Sequence, residues 1–134
     1  MEQGFTHFDE QGNARMVDIS QKEPSSRTAI ARGSILVSKE IMEAVREKQV
    51  PKGDVLGIAR TAGIMGVKQT PFLIPPCHTL LLDKCNVDFE LSPEENRITA
   101  YCTVKCQGKT GVEMEALTGV TTALLTIYDM CKAS

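Results

Sequence analysis

The stretch KCNVDFELSPEENRITAYCTVKC, residues 84–106, alternates apolar and polar side chains on both sides of a turn. Apolar residues recur at every second position before and after SPEEN, which is the period of a strand with one buried face. The two apolar sets are Cys85, Val87, Phe89 and Leu91, and Ile98, Ala100, Cys102, Val104 and Cys106. The pattern predicts an antiparallel hairpin with one face in the core and one in water.

The segments around this hairpin predict one further strand and three helices. Alternating small and apolar residues over 29–37 indicate a strand, and Ser38 can cap a short helix that ends near Pro51. A second helix is expected from Asp54, an acceptable N-cap, to about Lys68, with Thr70-Pro71 ending it. A single α+β domain over residues 1–134, with an antiparallel sheet, helices on one side and an extended arm over residues 1–28, follows from this order.

Composition and charge exclude several classes of function. The net charge of −2 argues against nucleic acid as the main partner, and no stretch is long and apolar enough for a membrane span. The opening MEQGFTHFDE lacks the features of a signal or transit peptide. Five irregularly spaced cysteines favour reduced thiols, so a cytoplasmic location is expected.

The last predicted helix, from about Val112 or Glu115 to Cys131, has no charged residue between Ala116 and Tyr128. One face carries small polar residues where a solvated helix would carry Lys and Glu, and such a helix requires burial all round. We therefore expect a subunit interface on this threonine face. The face predicted to lie on the sheet consists of Leu117, Val120, Leu124, Ile127 and Cys131, and the threonine face of Thr118, Gly119, Thr122 and Thr126.

Ionisable groups stand only at the two ends of this helix. Asp129 and Lys132 are at i, i+3 and can touch, although such a pair is often only a surface ion pair. Glu113 and Glu115 lie in the first turn, where acids commonly complement the helix dipole. Glu115 and Asp129 are roughly 21 Å apart along the axis. One site that uses both must therefore be assembled from two chains, or the two residues must contact different parts of one ligand.

Two further segments contain candidate chemistry. IPPCHTL, residues 74–80, places Cys77 and His78 after two prolines, and His78 is a plausible acid–base group or hydrogen-bond donor. Adjacent residues chelate one tetrahedral ion poorly and no second pair has zinc-finger spacing, so a zinc module is the weaker hypothesis. Lys52, just before a helix start, suits a phosphate.

Four stretches together resemble the molybdenum cofactor biosynthesis protein C family, the cyclic pyranopterin monophosphate synthases. They are THFDEQGNARMVDIS (6–20), KGDVLGIARTAGIMGVKQT (52–70), LIPPCHTL (73–80) and TGVEMEALTGVTTALLTIYDMCKA (110–133). The resemblance implies a ferredoxin-like fold and a hexamer of three dimers with active sites at the dimer interface. It also implies a lyase reaction in which 3′,8-cyclo-7,8-dihydro-GTP is rearranged to cyclic pyranopterin monophosphate with release of pyrophosphate.

The resemblance implies a role for each matched residue. Asp129 matches the family's acid–base residue, Lys132 the lysine beside it and Lys52 a substrate-binding lysine. His78 is the expected chemical participant among the substrate contacts, which are Pro76, Cys77, His78, Met114 and Glu115, with Glu113 orienting its neighbours. No cofactor or protein-bound metal is expected, although Mg²⁺ can accompany the substrate phosphates.

The sequence departs from the family pattern at two places. Pro76 and Thr79 alter the loop around His78, because a proline removes one N–H that could contact the ligand. The family's usual C-terminal tail, with another strand and a lysine- and glycine-rich segment, is expected to be absent after Ser134. A catalytically impaired protein of the same fold that binds a purine or pterin phosphate is therefore the alternative hypothesis.

Overall fold

The computed structural model describes residues 16–20, 23, 25–74 and 81–132, and the predicted hairpin forms the centre of its sheet. Strand β2 (Leu82–Ser92) pairs antiparallel with β3 (Arg97–Gly108), and Asn96 closes the turn in the left-handed conformation that asparagine tolerates. Strand β1 (Ser25–Leu36) pairs with the other edge of β3, which gives the order β1-β3-β2. Within the described residues this is an α+β fold with a three-stranded antiparallel sheet, as predicted.

Three helices cover one face of this sheet. They are α1 (Lys39–Arg46), α2 (Val55–Leu73) and α3 (Glu113–Cys131). The even-numbered residues of β3 face them and are fully buried from Ile98 to Cys106, whereas Lys105 and Gln107 on the other face are exposed. The prediction of one buried and one wet face is confirmed; the ferredoxin-like assignment stays a prediction.

The core consists of two adjoining hydrophobic clusters that share Phe89 and Leu124. One lies between the sheet and the facing parts of α2 and α3, around Val87 and Cys102. The other joins α1 to the far end of α3, where Met42 and Ile127 are fully buried. The second cluster fixes the end of α3 against the turn that leaves α1, and this turn carries one of the candidate site residues.

Capping residues set the starts of the first two helices as the sequence indicates. The Ser38 hydroxyl accepts a hydrogen bond from the Ile41 N–H, 3.1 Å, and Asp54 Oδ1 accepts one from the Gly57 N–H, 3.1 Å. Strand β1 begins at Ser25, earlier than the predicted residue 29. The last four residues of the predicted arm therefore pair with β3.

Helix α2 continues through Pro71 to Leu73, so the prediction that Thr70-Pro71 ends it near Lys68 is wrong. A proline in the last turn removes a single backbone donor, and the ladder resumes where the Ile74 N–H donates to the Thr70 carbonyl, 2.9 Å. Val67 and Thr70 are buried at 1% and 0% exposure, so packing holds this turn in helical form.

The face of α3 that is buried differs from the predicted one. Leu117 is 48% exposed, whereas Ala116, Gly119 and Ala123 are buried, because α3 packs against α2 as well as the sheet. Val120, Ile127 and Cys131 are buried as predicted, and Leu124 is partly buried.

The part of the threonine face at Gly119 and Thr122 is covered by the protein's own α2, so the missing charge there does not by itself require a subunit interface. A Cβ atom on Gly66 would lie 2.5 Å from Thr122 Oγ1, and one on Gly119 would lie 2.6 Å from Val67 Cγ2. The small residues of α2 thus allow the two helices to approach closely. The exposed apolar side chains of α3 are instead Leu117, Leu125 and Tyr128.

Candidate functional site

The turn between α1 and α2 places Lys52 at the C-terminal end of α3. The Gly53 N–H donates to the Val50 carbonyl, 2.9 Å, and Gly53 has a φ of +115°, which a residue with a side chain rarely adopts. The buried side chains of Val50 and Val55 hold the two ends of the turn in the core. Lys52 therefore projects from a constrained backbone.

Three of the predicted site residues meet at this end of α3. Lys132 Nζ lies 3.0 Å from Asp129 Oδ1, and Lys52 Nζ lies 3.8 Å from Asp129 Oδ2. Lys52 Nζ also donates a hydrogen bond to the Asp129 backbone carbonyl, 3.1 Å. The structure thus brings together residues 77 positions apart in the chain.

The electrostatics of this cluster keep Asp129 ionised. The hydrogen bond and charge of Lys132, followed by the charge of Lys52, hold the pKa of Asp129 below its ordinary value. The same hydrogen bond and the charge of Asp129 raise the pKa of Lys132. Two ammonium groups around one carboxylate leave a net positive charge of one. All three side chains are about half exposed, so the cluster can reach a ligand.

The cluster also has a structural role that needs no ligand. The Asp129 carbonyl is among the last four of the helix, which lack partners within it, and Lys52 satisfies it. Cations at a helix C-terminus are favourable for the same reason. Capping the Asp129 carbonyl needs only Lys52. The second lysine, Lys132, adds an exposed ion pair, which contributes little to stability. Capping and stability therefore do not account for both lysines.

The other end of α3 contains a buried carboxyl group. Glu115 is 4% exposed, and burial, followed by the negative charge of Glu113, raises its pKa. It lines a cavity of about 270 Å³, where Lys68 is the one cation among the described lining residues. The others that the structure describes are apolar or proline: Val67, Pro71, Phe72, Leu81 and Leu82. A mostly apolar cavity with a few polar groups is typical of a small-molecule site.

The remaining predicted contacts lie in the same helical turn as Glu115 or outside the described residues. Glu113 is exposed and Met114 half-buried in the first turn of α3. Pro76, Cys77, His78 and Thr79 lie outside the described residues, so their predicted roles stay predictions.

Lys68 is a functional candidate that the sequence pattern does not single out, because a lone lysine on a helix is usually a solvated surface residue. A signal was available: Lys68 is the only lysine of α2, a helix otherwise composed largely of small and apolar residues. Its place beside Glu115 depends on how α2 and α3 pack, which no local pattern reveals.

Neither a metal centre nor a membrane helix is found among the described residues. No three His, Cys, Asp or Glu side chains in residues 16–20, 23, 25–74 and 81–132 are grouped so that they could hold a metal ion. None of the helices in that part of the chain is long and apolar enough to cross a bilayer.

The fold and the two ends of α3 define a small α+β protein with a cationic acid–base cluster and a partly apolar cavity. The sequence profile of the MoaC family matches residues 16–134, and the chain belongs to that family.

Proteins with the name cyclic pyranopterin monophosphate synthase are similar over nearly the whole chain. The one from Clostridium perfringens (strain SM101 / Type A) is 53% identical over 133 residues, which cover 99% of this chain and 84% of the relative. The one from Pelobacter propionicus is 54% identical over 97% of this chain and 81% of the relative. The one from Natranaerobius thermophilus is 55% identical over 96% and 81%.

Proposed function

We propose that this protein is a cyclic pyranopterin monophosphate synthase in molybdenum cofactor biosynthesis. The convergence of Lys52 and Lys132 on Asp129, in a chain of the MoaC family, carries the proposal. The substrate is 3′,8-cyclo-7,8-dihydro-GTP, and the products are cyclic pyranopterin monophosphate and pyrophosphate.

The cluster supplies what a reaction on a nucleoside triphosphate requires. Opening a purine-derived ring, closing a pterin and forming a cyclic phosphate need several proton transfers and a cradle for a polyanion. Asp129 is ionised at neutral pH and is suited to accept a proton. Lys132 and Lys52 keep the site cationic, with Lys52 binding the triphosphate and Lys132 stabilising the anionic charge that develops during the reaction.

The proposed site has two parts, which we call stations: the Asp129 cluster is the first, and the cavity at Glu115 is the second. Its apolar walls suit a planar ring. Burial raises the pKa of Glu115, so Glu115 is suited to keep a proton at a pH at which Asp129 has lost its own. We propose that the substrate also contacts Pro76, Cys77, His78 and Met114, as the family pattern implies. Glu113 orients the residues next to it.

The separation of the two stations favours an assembly of several chains. Glu115 and Asp129 stand fourteen residues apart on one continuous helix, roughly 21 Å, which one chain cannot close. We propose a homo-oligomer, a trimer of dimers, in which one subunit contributes the Asp129 cluster and its neighbour contributes the cavity. Exposed apolar residues on α2 and α3, such as Phe72 and Leu125, supply surface for this contact.

The test is turnover of the cyclised nucleotide by purified protein. Wild type is expected to release pyrophosphate and form a pterin product in equal amounts. Asp129→Asn and Lys132→Ala should each lower the rate by about 10²-fold or more, because each removes a group that transfers a proton or stabilises charge. Lys39→Ala, a lysine at the start of α1, is the matched control and should keep the wild-type rate.

Two further measurements complete this test. Size-exclusion chromatography of each variant checks that the assembly is intact, so that a lost rate reports on chemistry. Full turnover by Asp129→Asn would contradict the proposal. Binding of the nucleotide without turnover by wild type would favour the impaired binding protein instead. We propose that the reaction requires no resident metal, so turnover should survive removal of protein-bound metal by a chelator, with Mg²⁺ then resupplied.

A further inference from the structure

Two cysteines lie side by side in the sheet, away from the Asp129 cluster. Cys85 of β2 pairs with Val104 of β3, and Cys102 of β3 pairs with Val87 of β2, so the two cysteines are diagonal neighbours across the same antiparallel ladder. Both side chains are on the helix-covered face, within one hydrophobic cluster. The register and the shared cluster place the two side chains next to each other on the same face of the sheet.

The two thiols differ in exposure and in pKa, which suits Cys85 to be the nucleophile and Cys102 to be its partner in a disulfide. Cys85 is half-buried, at an edge strand, whereas Cys102 is 0% exposed in the central strand. Interaction with the neighbouring Cys102 thiol, aided by the positive charge of Lys68, lowers the pKa of Cys85 to about 7 although burial opposes the shift. The same interaction and burial raise the pKa of Cys102, so it keeps its proton. Thiolate character and access are what make a cysteine susceptible to oxidation.

We propose that Cys85 and Cys102 are an oxidation site at which a hydroperoxide joins β2 to β3 through a reversible disulfide bond. In the first step the Cys85 thiolate attacks hydrogen peroxide, which gives a Cys85 sulfenic acid and hydroxide. In the second step the Cys102 sulfur attacks the sulfenic sulfur, and the thiol proton and the sulfenic hydroxyl leave as water. Two thiols lose two electrons in total, and the peroxide accepts them.

The position of β2 allows the bond to close. Diagonal neighbours in a sheet have Cα atoms about 7–8 Å apart, and disulfides most often span about 5.5–6 Å, so the two Cα atoms must approach by about 1–2.5 Å. Within the described residues it is an edge strand that pairs only with β3, and its register already changes between Leu82 and Lys84, directly before Cys85. A disulfide closed under this strain is easily reduced, which makes the modification reversible.

The other described cysteines are less suited to this chemistry. Burial raises the pKa of Cys131 and, together with the negative charges of Glu115 and Asp83, that of Cys106. Both are buried and remain thiols at neutral pH. They serve as internal controls for selective oxidation.

Peptide mapping after peroxide treatment tests the proposal, because trypsin separates all five cysteines. Cleavage after Lys68, Lys84, Arg97, Lys105, Lys109 and Lys132 places each cysteine on a different peptide. The folded protein is treated with hydrogen peroxide at pH 7.5, and remaining thiols are alkylated before digestion. We expect peptides 85–97 and 98–105 to be joined, with a mass lower by two hydrogens than their sum. Dithiothreitol should release them.

Three variants sharpen the result. In Cys102→Ala the sulfenic acid on Cys85 should persist and be trapped by dimedone. In Cys85→Ser, Cys102 should stay reduced and take the alkylating label after denaturation. Cys106→Ala, which removes another buried thiol of β3, should still form the linked peptides.

Other outcomes with wild-type protein would overturn the proposal, even where a variant fails to fold. They are a bond from Cys85 to a different cysteine, a sulfinic acid on Cys85 without the linked peptides, and unmodified Cys85 when another thiol has been oxidised. Each is read directly from the peptide masses and is independent of synthase activity.

Discussion

Asp129 and Glu115 are two carboxyl groups on one helix whose pKa values are shifted in opposite directions. Lys132 and Lys52 lower the pKa of Asp129, while burial in a largely apolar cavity raises that of Glu115. Groups whose environments separate their pKa values are suited to different proton-transfer roles. At the residue scale, Asp129 is therefore suited to accept a proton and Glu115, with its raised pKa, to donate one.

Lys132→Ala should raise the pKa of Asp129, because Lys132 supplies the largest part of the lowering. Carbon-detected NMR titration of the Asp129 carboxyl group measures this change. Lys52→Ala should raise the pKa less, because Lys52 acts through its charge at a longer distance, 3.8 Å. Lys39→Ala is the control. An Asp129 pKa that is equal in Lys132→Ala and wild type would contradict the electrostatic account.

The lowered pKa of Asp129 also makes the stability of the folded state depend on pH. A carboxyl whose folded pKa is lowered contributes stability above its unfolded pKa, near 3.8, and this contribution is lost as the pH falls through the folded pKa. The stability lost in Lys132→Ala should therefore be greatest at neutral pH and decrease in acid.

Glu115→Gln should become more stable relative to wild type as the pH rises above about 4.5, the ordinary value. A carboxyl whose folded pKa is raised favours the folded state fully below its unfolded pKa and loses that contribution as the pH rises through the folded pKa. Glutamine keeps the shape without the charge. Urea denaturation at a series of pH values measures the difference.

Glu113→Gln is the matched control for Glu115→Gln, since it removes one negative charge from an exposed position in the same turn. A stability difference between Glu115→Gln and wild type that does not change with pH would show that burial does not control this carboxyl group.

At the scale of secondary-structure elements, the contact between α2 and α3 positions both stations. A Cβ atom on Gly63 would lie 3.0 Å from the Gly119 carbonyl oxygen, so the two backbones are nearly in contact. Gly33 of β1 provides similar space for Leu124. Because α2 carries Lys68 and α3 carries Glu115, this close approach also shapes the cavity between them.

Gly119→Ala should destabilise the protein by about 1–3 kcal/mol, the usual effect of overpacking a core. The new methyl group would meet Cys102 Sγ and Val67 Cγ2, each at 2.6 Å. This clash should outweigh the gain of up to about 1 kcal/mol in helix propensity.

Thr121→Ala, at an exposed position of the same helix, is the control for Gly119→Ala and should be neutral or stabilising. Chemical denaturation of both variants provides the comparison. Equal or higher stability of Gly119→Ala would contradict the close packing of α2 against α3.

For the whole molecule, the exposed apolar surface is the feature that a single chain leaves unexplained. Phe72 of α2 is 80% exposed and Leu125 of α3 is 66% exposed, and Met65 and Tyr128 add to the same two helices. Apolar side chains clustered on adjoining elements commonly mark a protein–protein contact.

Leu125→Lys should weaken self-association, because a charged side chain would have to be desolvated in the contact. Sedimentation velocity over a range of protein concentrations measures the change in assembly. Gln49→Lys, which adds the same charge at an exposed site after α1, should behave like wild type. Wild-type assembly by Leu125→Lys would exclude this face from the interface.

The sequence alone determined the hairpin, the caps at Ser38 and Asp54, and the pairing of Asp129 with Lys132. Each depends on neighbours within a few residues, where the period of a strand or helix decides which side chains meet. The tertiary structure decided that α2 continues through Pro71, that α2 covers part of the threonine face, and that Lys52 reaches Asp129. It also placed Lys68 beside Glu115 and Cys85 beside Cys102. These contacts join residues distant in the chain, and only the packing of helices on the sheet brings them within a few ångströms.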